Sequence, residues 1–419
     1  MAKHRPPISK HSSGKTFVFF VVIGLVFIGI RLINLPQVLE FSSDQGRDFL
    51  NVWRIYHEKK VAVIGPPSQY SIQGRQFFFG PAPYYVILPA LIAGKWDPLV
   101  VSYFLILLNA GVLFVSLLIF SSYVKDKTIL YLFALFYTFT PALVQYTRSY
   151  WNPYFMLATA TFLLALLFMS RYRSSVLFFG FLGVVFGLGL QFHFSFFFAI
   201  GLSMVWLFLY GKLNLASLMS LFMGFCIGFL PLIVYDVFKD FYNLRTLFIV
   251  FTNGSAASST FKLHPFYFIS LVPFGLMFVS FLLSQLRNKQ KLILYGLVST
   301  IMIWSLASIL PVQPSALNYP SLQTLSKVIE IDQPAQFNIV DQLTLDNRAM
   351  ALRYFLTING YEPMGVTDYP QARTLYIYTK ENINTILAHP IWEIASGQPY
   401  IETTHVATVN GIDLYKLQK

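Results

Sequence analysis

Three residues near the start of the chain have the types and spacing for acid–base work: Asp44, Arg47 and Asp48. Ser42 followed by Gln45 three residues on is a capping-box start for a helix. From that start, 100° per residue puts Asp44, Arg47, Asp48 and Asn51 on one face, with Phe49, Val52, Trp53 and Tyr56 on the other. Carboxylates one turn apart repel, and a guanidinium between them offsets the repulsion. One of the two could then take a proton from a hydroxyl, whose own pKa lies far above 7. The plainer reading is an amphipathic helix with a solvated polar face.

Other polar groups stand out against apolar surroundings. Arg75 follows Gly74 in a segment continuing to Phe79-Gly80-Pro81-Ala82-Pro83-Tyr84-Tyr85, where Gly and Pro impose irregular backbone. Arg148 and Asn152 lie in Tyr146-Thr147-Arg148-Ser149-Tyr150-Trp151-Asn152-Pro153, and Gln191 and His193 interrupt an apolar run. Asp236, Asn243 and Arg245 follow another such run. Polar groups at membrane depth face a bundle interior or a cavity. Each also has a structural reading: Arg148 as a headgroup anchor, His193 as an inter-helix hydrogen bonder, Asp236 as a cap for the stretch after it. No cluster of Cys, His and carboxylate has metal-ligand spacing, so no metal is expected.

The elements that must position these groups are spans. Of 419 residues, 56% are hydrophobic and 11% charged, against about 25% charged in soluble domains. Long apolar runs fall at 16–35, 99–122, 129–145, 154–170, 175–191, 194–211, 214–235, 265–285 and 292–311, which predicts about nine transmembrane helices. The net charge of +12 comes from short basic clusters between these runs. That is the positive-inside pattern, not a nucleic-acid surface. Lys125 with Lys127, Arg171 with Arg173, Lys212, and Arg287 share a side with the basic 1–15 segment, predicted cytoplasmic. The first run is long enough to span and lacks a cleavage-like end, so it reads as a retained anchor. The single cysteine, Cys226, permits no disulfide within the chain.

Of 18 acidic residues, five (Glu40, Asp44, Asp48, Glu58 and Asp97) fall in the first outer loop, 36–98. Only Asp126, Asp236 and Asp240 lie between 100 and 325. Acid–base chemistry beside the membrane is therefore expected in that loop. The apolar stretch 84–93 is too short to span and reads as a surface or re-entrant segment. From 315 charged residues return and apolar runs shorten to strand length, as in Phe337–Val340, Thr374–Tyr378 and Leu414–Leu417, with helix-like stretches 347–358 and 382–395 between. The organisation expected is an all-α polytopic membrane domain, 16–314, followed by a small α/β soluble domain, 315–419, outside the membrane.

Asp44-Gln45-Gly46-Arg47-Asp48 just after the first span resembles the outward acidic motif of C-fold membrane glycosyltransferases. That group includes protein O-mannosyltransferases and the aminoarabinose transferases that modify lipid A. The segments 79–85 and 146–153 are similar to those of bacterial members grouped as glycosyltransferase family 39. The resemblance covers roughly 16–310. The usual pair there is Asp-Glu, whereas Asp44 is followed by Gln45, so Asp44 and Asp48 both stand as the catalytic carboxylate. The resemblance implies the C-type glycosyltransferase fold and inverting transfer of a sugar from a polyprenyl-phosphate donor. The acceptor would be a glycan, lipid or protein on the outer face of the plasma (inner) membrane, with no cofactor or metal required. Arg47, Arg75 and Arg148 are then the expected phosphate-binding groups, and Asn152, His193 and Asp236 the substrate-positioning ones. A transporter or flippase of lipid-linked sugars would place charges at span centres, where this chain has almost none. An envelope polysaccharide ligase or polymerase is the remaining alternative.

Overall fold

The computed structural model describes residues 14–72, 74–252, 264–286, 288–309, 317–344, 346–388 and 390–419. Most of the basic 1–15 segment, and Arg287, lie outside the described residues. The chain divides into two compact units. The first takes Met1–Ile33, Val61–Ala90 and Val101–Leu310; the second takes Asn34–Lys60, Leu91–Val100 and Pro311–Lys419. The second unit is thus larger than the 315–419 domain expected from composition. Much of the first outer loop, including the Asp44 motif, belongs to it.

Apolar helices make up most of the described first unit, and each predicted run overlaps one helix or a bent pair. Among the described residues, Gly14–Leu32, Pro98–Tyr123, Asn152–Ser170 and Pro265–Ser284 are long and apolar enough to cross a membrane. Two further helix pairs reach that length only together: Lys127–Phe139 with Pro141–Arg148, bent by 68°, and Leu215–Gly228 with Leu230–Phe238, bent by 69°. Pro141 and Pro231 stand in the first turn beyond each break, where a missing N–H and a ring clash interrupt the helical ladder. Val176–Phe192, Phe194–Tyr210 and Val298–Ser308 are apolar but shorter. Four to six spans therefore meet the length criterion where nine were expected.

Broken helices leave carbonyls that must be satisfied within the protein. At the first break Arg31, fully buried, does this work. Its guanidinium donates to Thr138 O at 3.2 Å, Tyr137 O at 3.4 Å, Phe27 O at 3.1 Å and Thr147 Oγ1 at 2.5 Å. It also lies 3.3 Å from the centre of the Phe27 ring. One side chain so ties the first helix to both halves of the bent pair. Elsewhere Val176–Phe192 packs on Leu215–Gly228 with backbones in near contact: a Cβ on Gly183 would strike Leu221 O, and one on Gly224 would strike Gly180 O. Small residues permit this approach where no hydrophobic force drives helices together.

In the first unit a hairpin, Pro67–Ile72 with Arg75–Phe78, turns through Gly74 at φ 73°. The sequence reading gave only irregular backbone there. The second unit holds a four-stranded sheet in the order 337–341, 374–379, 412–418, 402–409, with the first pair parallel and the others antiparallel. Strand Glu402–Val409 went unrecognised because most of its residues are exposed and its pattern carries no apolar alternation. Helix Met350–Ile358 makes the crossover between the parallel strands. It starts later than the predicted 347 because Ala349 is left-handed, at φ 54°. The predicted 382–395 helix is two short ones, Ile383–Leu387 and Trp392–Ala395, on either side of Pro390. Val340, Leu375, Ile377, Ile386, Ile394 and Leu417 close the core.

Candidate functional site

Helix Ser43–His57 starts on the expected capping box: the Ser42 N–H donates to Gln45 Oε1 at 3.1 Å. Its partner is the Met350–Ile358 helix. Phe49 lies 5.7 Å from Tyr354 ring to ring, and Phe41 packs against Phe49, Tyr354 and Phe355. Gly46 sets the crossing, because a Cβ there would collide with the backbone of Met350 and Ala351. Phe49 and Val52 of the apolar face are thus buried in protein, while Tyr56 at its far end stays exposed.

That packing separates the two carboxylates. Asp48 is fully buried, while the Asp44 side chain keeps 36% of its exposure. Arg47 joins them, with Nη1 on Asp44 Oδ1 at 2.8 Å, and Nε and Nη2 both 2.9 Å from Asp48 Oδ1. A buried carboxylate needs such a partner, since desolvation otherwise outweighs every local contact. Arg47 holds Asp44 through Oδ1, and the partial exposure of the side chain leaves the carboxylate open to a proton donor. Asp44 is therefore the carboxylate with access, and Asp48 is the anchor of Arg47.

Arg348 was missed in the sequence. It lies two residues before the helix that Gly46 touches, and its fork grips Asp346 at 2.7 and 3.0 Å. The Asp346 carboxylate raises the Arg348 pKa above its ordinary value, against desolvation and the like charge of Arg47. Only the crossing of the two helices joins residues 300 positions apart, so no local signal could have found it. In the same unit, burial pushes the Asp341 carboxyl up, opposed by hydrogen bonds donated by Leu343 and Thr344.

The remaining predicted residues lie in the first unit. Arg148 is nearly buried at the end of Pro141–Arg148, with Nη2 and Nε held by Gln145 Oε1 at 3.0 and 3.3 Å. Asn152 Nδ2 donates to Phe192 O at 2.8 Å and closes the end of the neighbouring helix. His193 follows that helix end, stacks on Phe79 at 4.6 Å and faces Phe266 and Tyr267. Its Nδ1 pairs with Ser195 Oγ at 2.9 Å. Trp151 packs on Phe266 at 4.9 Å. Asn152, His193 and the segments 79–85 and 146–153 do converge on one aromatic-lined region.

Asp236 and Arg75 are placed differently. Asp236 Oδ1 accepts from the N–H of Asn243 at 2.7 Å, so it caps the Tyr242–Thr252 helix. Asn243 in turn clasps Phe78 N and O at 2.6 and 2.9 Å. Arg75 is exposed at the hairpin turn, with its guanidinium 6.0 Å from the Tyr242 ring. Among the described residues no three His, Cys, Asp or Glu side chains gather as a metal site would require.

No protein-family model and no curated protein matches this chain. A solved structure does: ArnT from Cupriavidus metallidurans bound to undecaprenyl phosphate, with a TM-score of 0.58 at 10% identity. The match covers 97% of this chain and 98% of that one. The chain has the C-type fold that the sequence motifs implied. That fold and the long apolar helices make it an integral membrane protein.

Proposed function

We propose that the protein is an inverting glycosyltransferase that moves a sugar from a polyprenyl-phosphate donor to a hydroxyl acceptor on the outer membrane face. The observation that carries this reading is the paired state of the two carboxylates: Asp48 sealed against Arg47, and Asp44 held by the same guanidinium through Oδ1 while its side chain stays 36% exposed. A base needs access to its proton and a fixed orientation, and Asp44 has both. The fold shared with a protein bound to undecaprenyl phosphate supports the donor class.

In the step proposed, the Asp44 carboxylate takes the acceptor's proton as the acceptor oxygen bonds to the anomeric carbon. The bond from that carbon to the phosphate oxygen breaks on the opposite side, and its electron pair leaves with the lipid phosphate. Cationic groups must receive that charge. Arg47 stands beside both carboxylates in the same unit; in the first unit the candidate is Arg148, whose guanidinium the Gln145 amide holds. Arg75, on the hairpin turn, is the second choice. His193 and Asn152 position substrate within the aromatic region, while Asp236 supports the hairpin beside Arg75.

The test is envelope glycan and lipid analysis in cells carrying wild type, Asp44→Asn or no gene. Loss of the same modified species in the last two supports the transferase. An unchanged product with Asp44→Asn overturns the assignment of the base, and a deletion whose envelope profile is the same as wild type overturns the transferase reading.

A further inference from the structure

The second unit has an open cleft of about 180 Å³ in which Lys95, Asp97, Lys327, Phe355, Ile358 and Asn359 take part. Lys95 and Lys327 are both exposed, and among the described residues neither is in an ion pair. The nearby carboxylates are engaged. Asp97 Oδ1 accepts from Tyr319 Oη at 2.7 Å and from the Leu99 N–H at 2.8 Å. Glu330 Oε1 accepts from Ser326 Oγ at 2.5 Å and Asn359 Nδ2 at 2.7 Å.

The backbone at the cleft edge takes an uncommon conformation after the Ala82–Ala93 helix. Lys95 and Trp96 are both left-handed, at φ 51° and 69°, a conformation that bulky residues adopt only when their surroundings enforce it. Tyr354 Oη donates to Trp96 O, and the Trp96 ring packs on Tyr56 at 5.3 Å and His57 at 5.2 Å. Pro98, two residues on, is the first residue of the 26-residue apolar helix Pro98–Tyr123. Pro98 thus both lines the cleft and begins a helix long and apolar enough to cross a membrane; the ends of such helices lie in the headgroup layer, the depth that Trp and Lys favour.

We propose that this cleft binds the phosphate-bearing headgroup of an anionic bilayer lipid. Lys95 and Lys327 meet the phosphate, and Phe355 and Ile358 meet the apolar atoms below it. The volume is below the ~300 Å³ of a full small-molecule pocket, which suits a headgroup whose tails remain in the bilayer. This site is separate from Asp44 and does not depend on the reaction proposed above.

The experiment is titration of the purified full chain with phosphatidylglycerol or phosphatidylcholine, followed by native mass spectrometry. Wild type is compared with Lys95→Gln, Lys327→Gln, the double variant, and Lys380→Gln as an exposed lysine outside the cleft. Phosphatidylglycerol affinity should fall roughly five-fold for each cleft lysine removed, with Lys380→Gln and phosphatidylcholine binding unchanged. Millimolar inorganic phosphate should fail to displace the lipid. Wild-type affinity in the double variant, or an equal loss in Lys380→Gln, overturns the proposal. Displacement by inorganic phosphate also overturns it, because the site would then recognise a free anion.

Discussion

Asp44 and Asp48 differ by one helical turn and by nearly everything a carboxylate can feel. Asp44→Asn should lower turnover by about 10²–10⁴-fold, the usual worth of a general base, with folding intact because that side chain is partly exposed. Asp48→Asn should cost stability as well as activity. It leaves Arg47 without its buried counter-charge, at roughly 1.5–3 kcal/mol for a charged hydrogen bond. Thermal unfolding separates the two: an unchanged transition in Asp48→Asn would show that Asp48 is not the anchor. Arg148→Ala should weaken donor binding and single-turnover rate together, by about 2–4 kcal/mol if it stabilises the leaving phosphate. Normal binding and turnover in that variant would make Arg148 a headgroup anchor instead, and Arg75→Ala then becomes the informative variant.

At the scale of elements, the crossing of Ser43–His57 with Met350–Ile358 decides the site. Gly46→Ala inserts a methyl into the backbone of Met350 and Ala351, and overpacking of this kind costs about 1–3 kcal/mol. Activity should fall although no chemical group is lost, and limited proteolysis should expose the 341–349 loop; an intact, active variant would show that the crossing has slack. Asp341, at the end of the first parallel strand, has a folded pKa raised above its unfolded value by burial. The folded state thus binds that proton more tightly, so this contribution is full at low pH and lost as pH rises through the shifted value. Asp341→Asn should therefore melt no lower than wild type at pH 7, and any advantage should shrink toward pH 4. A lower melting temperature at pH 7 would show that the hydrogen bonds to Leu343 and Thr344 outweigh the desolvation.

At the scale of the whole molecule, the basic clusters predict which side of the membrane each loop faces. In a Cys226→Ser background, Glu362→Cys should react with a membrane-impermeant thiol reagent in intact cells, and Lys125→Cys only after permeabilisation. Both positions are exposed in the structure, so accessibility within the protein does not limit either reaction. The reverse pattern would invert the topology and remove the outer-face reading of the Asp44 motif.

Local physics alone determined a good part of this. Apolar runs located the helices, since length and hydropathy are properties of contiguous sequence. The capping box located the start of the Asp44 helix, and strand-length apolar runs found three of the four strands in the second unit. Tertiary structure decided the rest. It buried Asp48 and left Asp44 accessible, because helical periodicity gives a shared face but not what covers it. It brought Arg348 to that face through a helix crossing 300 residues away in sequence. It turned Arg31, which ends an apolar run, into the residue that satisfies carbonyls freed by a break before Pro141. For Asp48 and Arg31 the deciding term was burial of a charged group by distant chain, and no window of sequence contains that information.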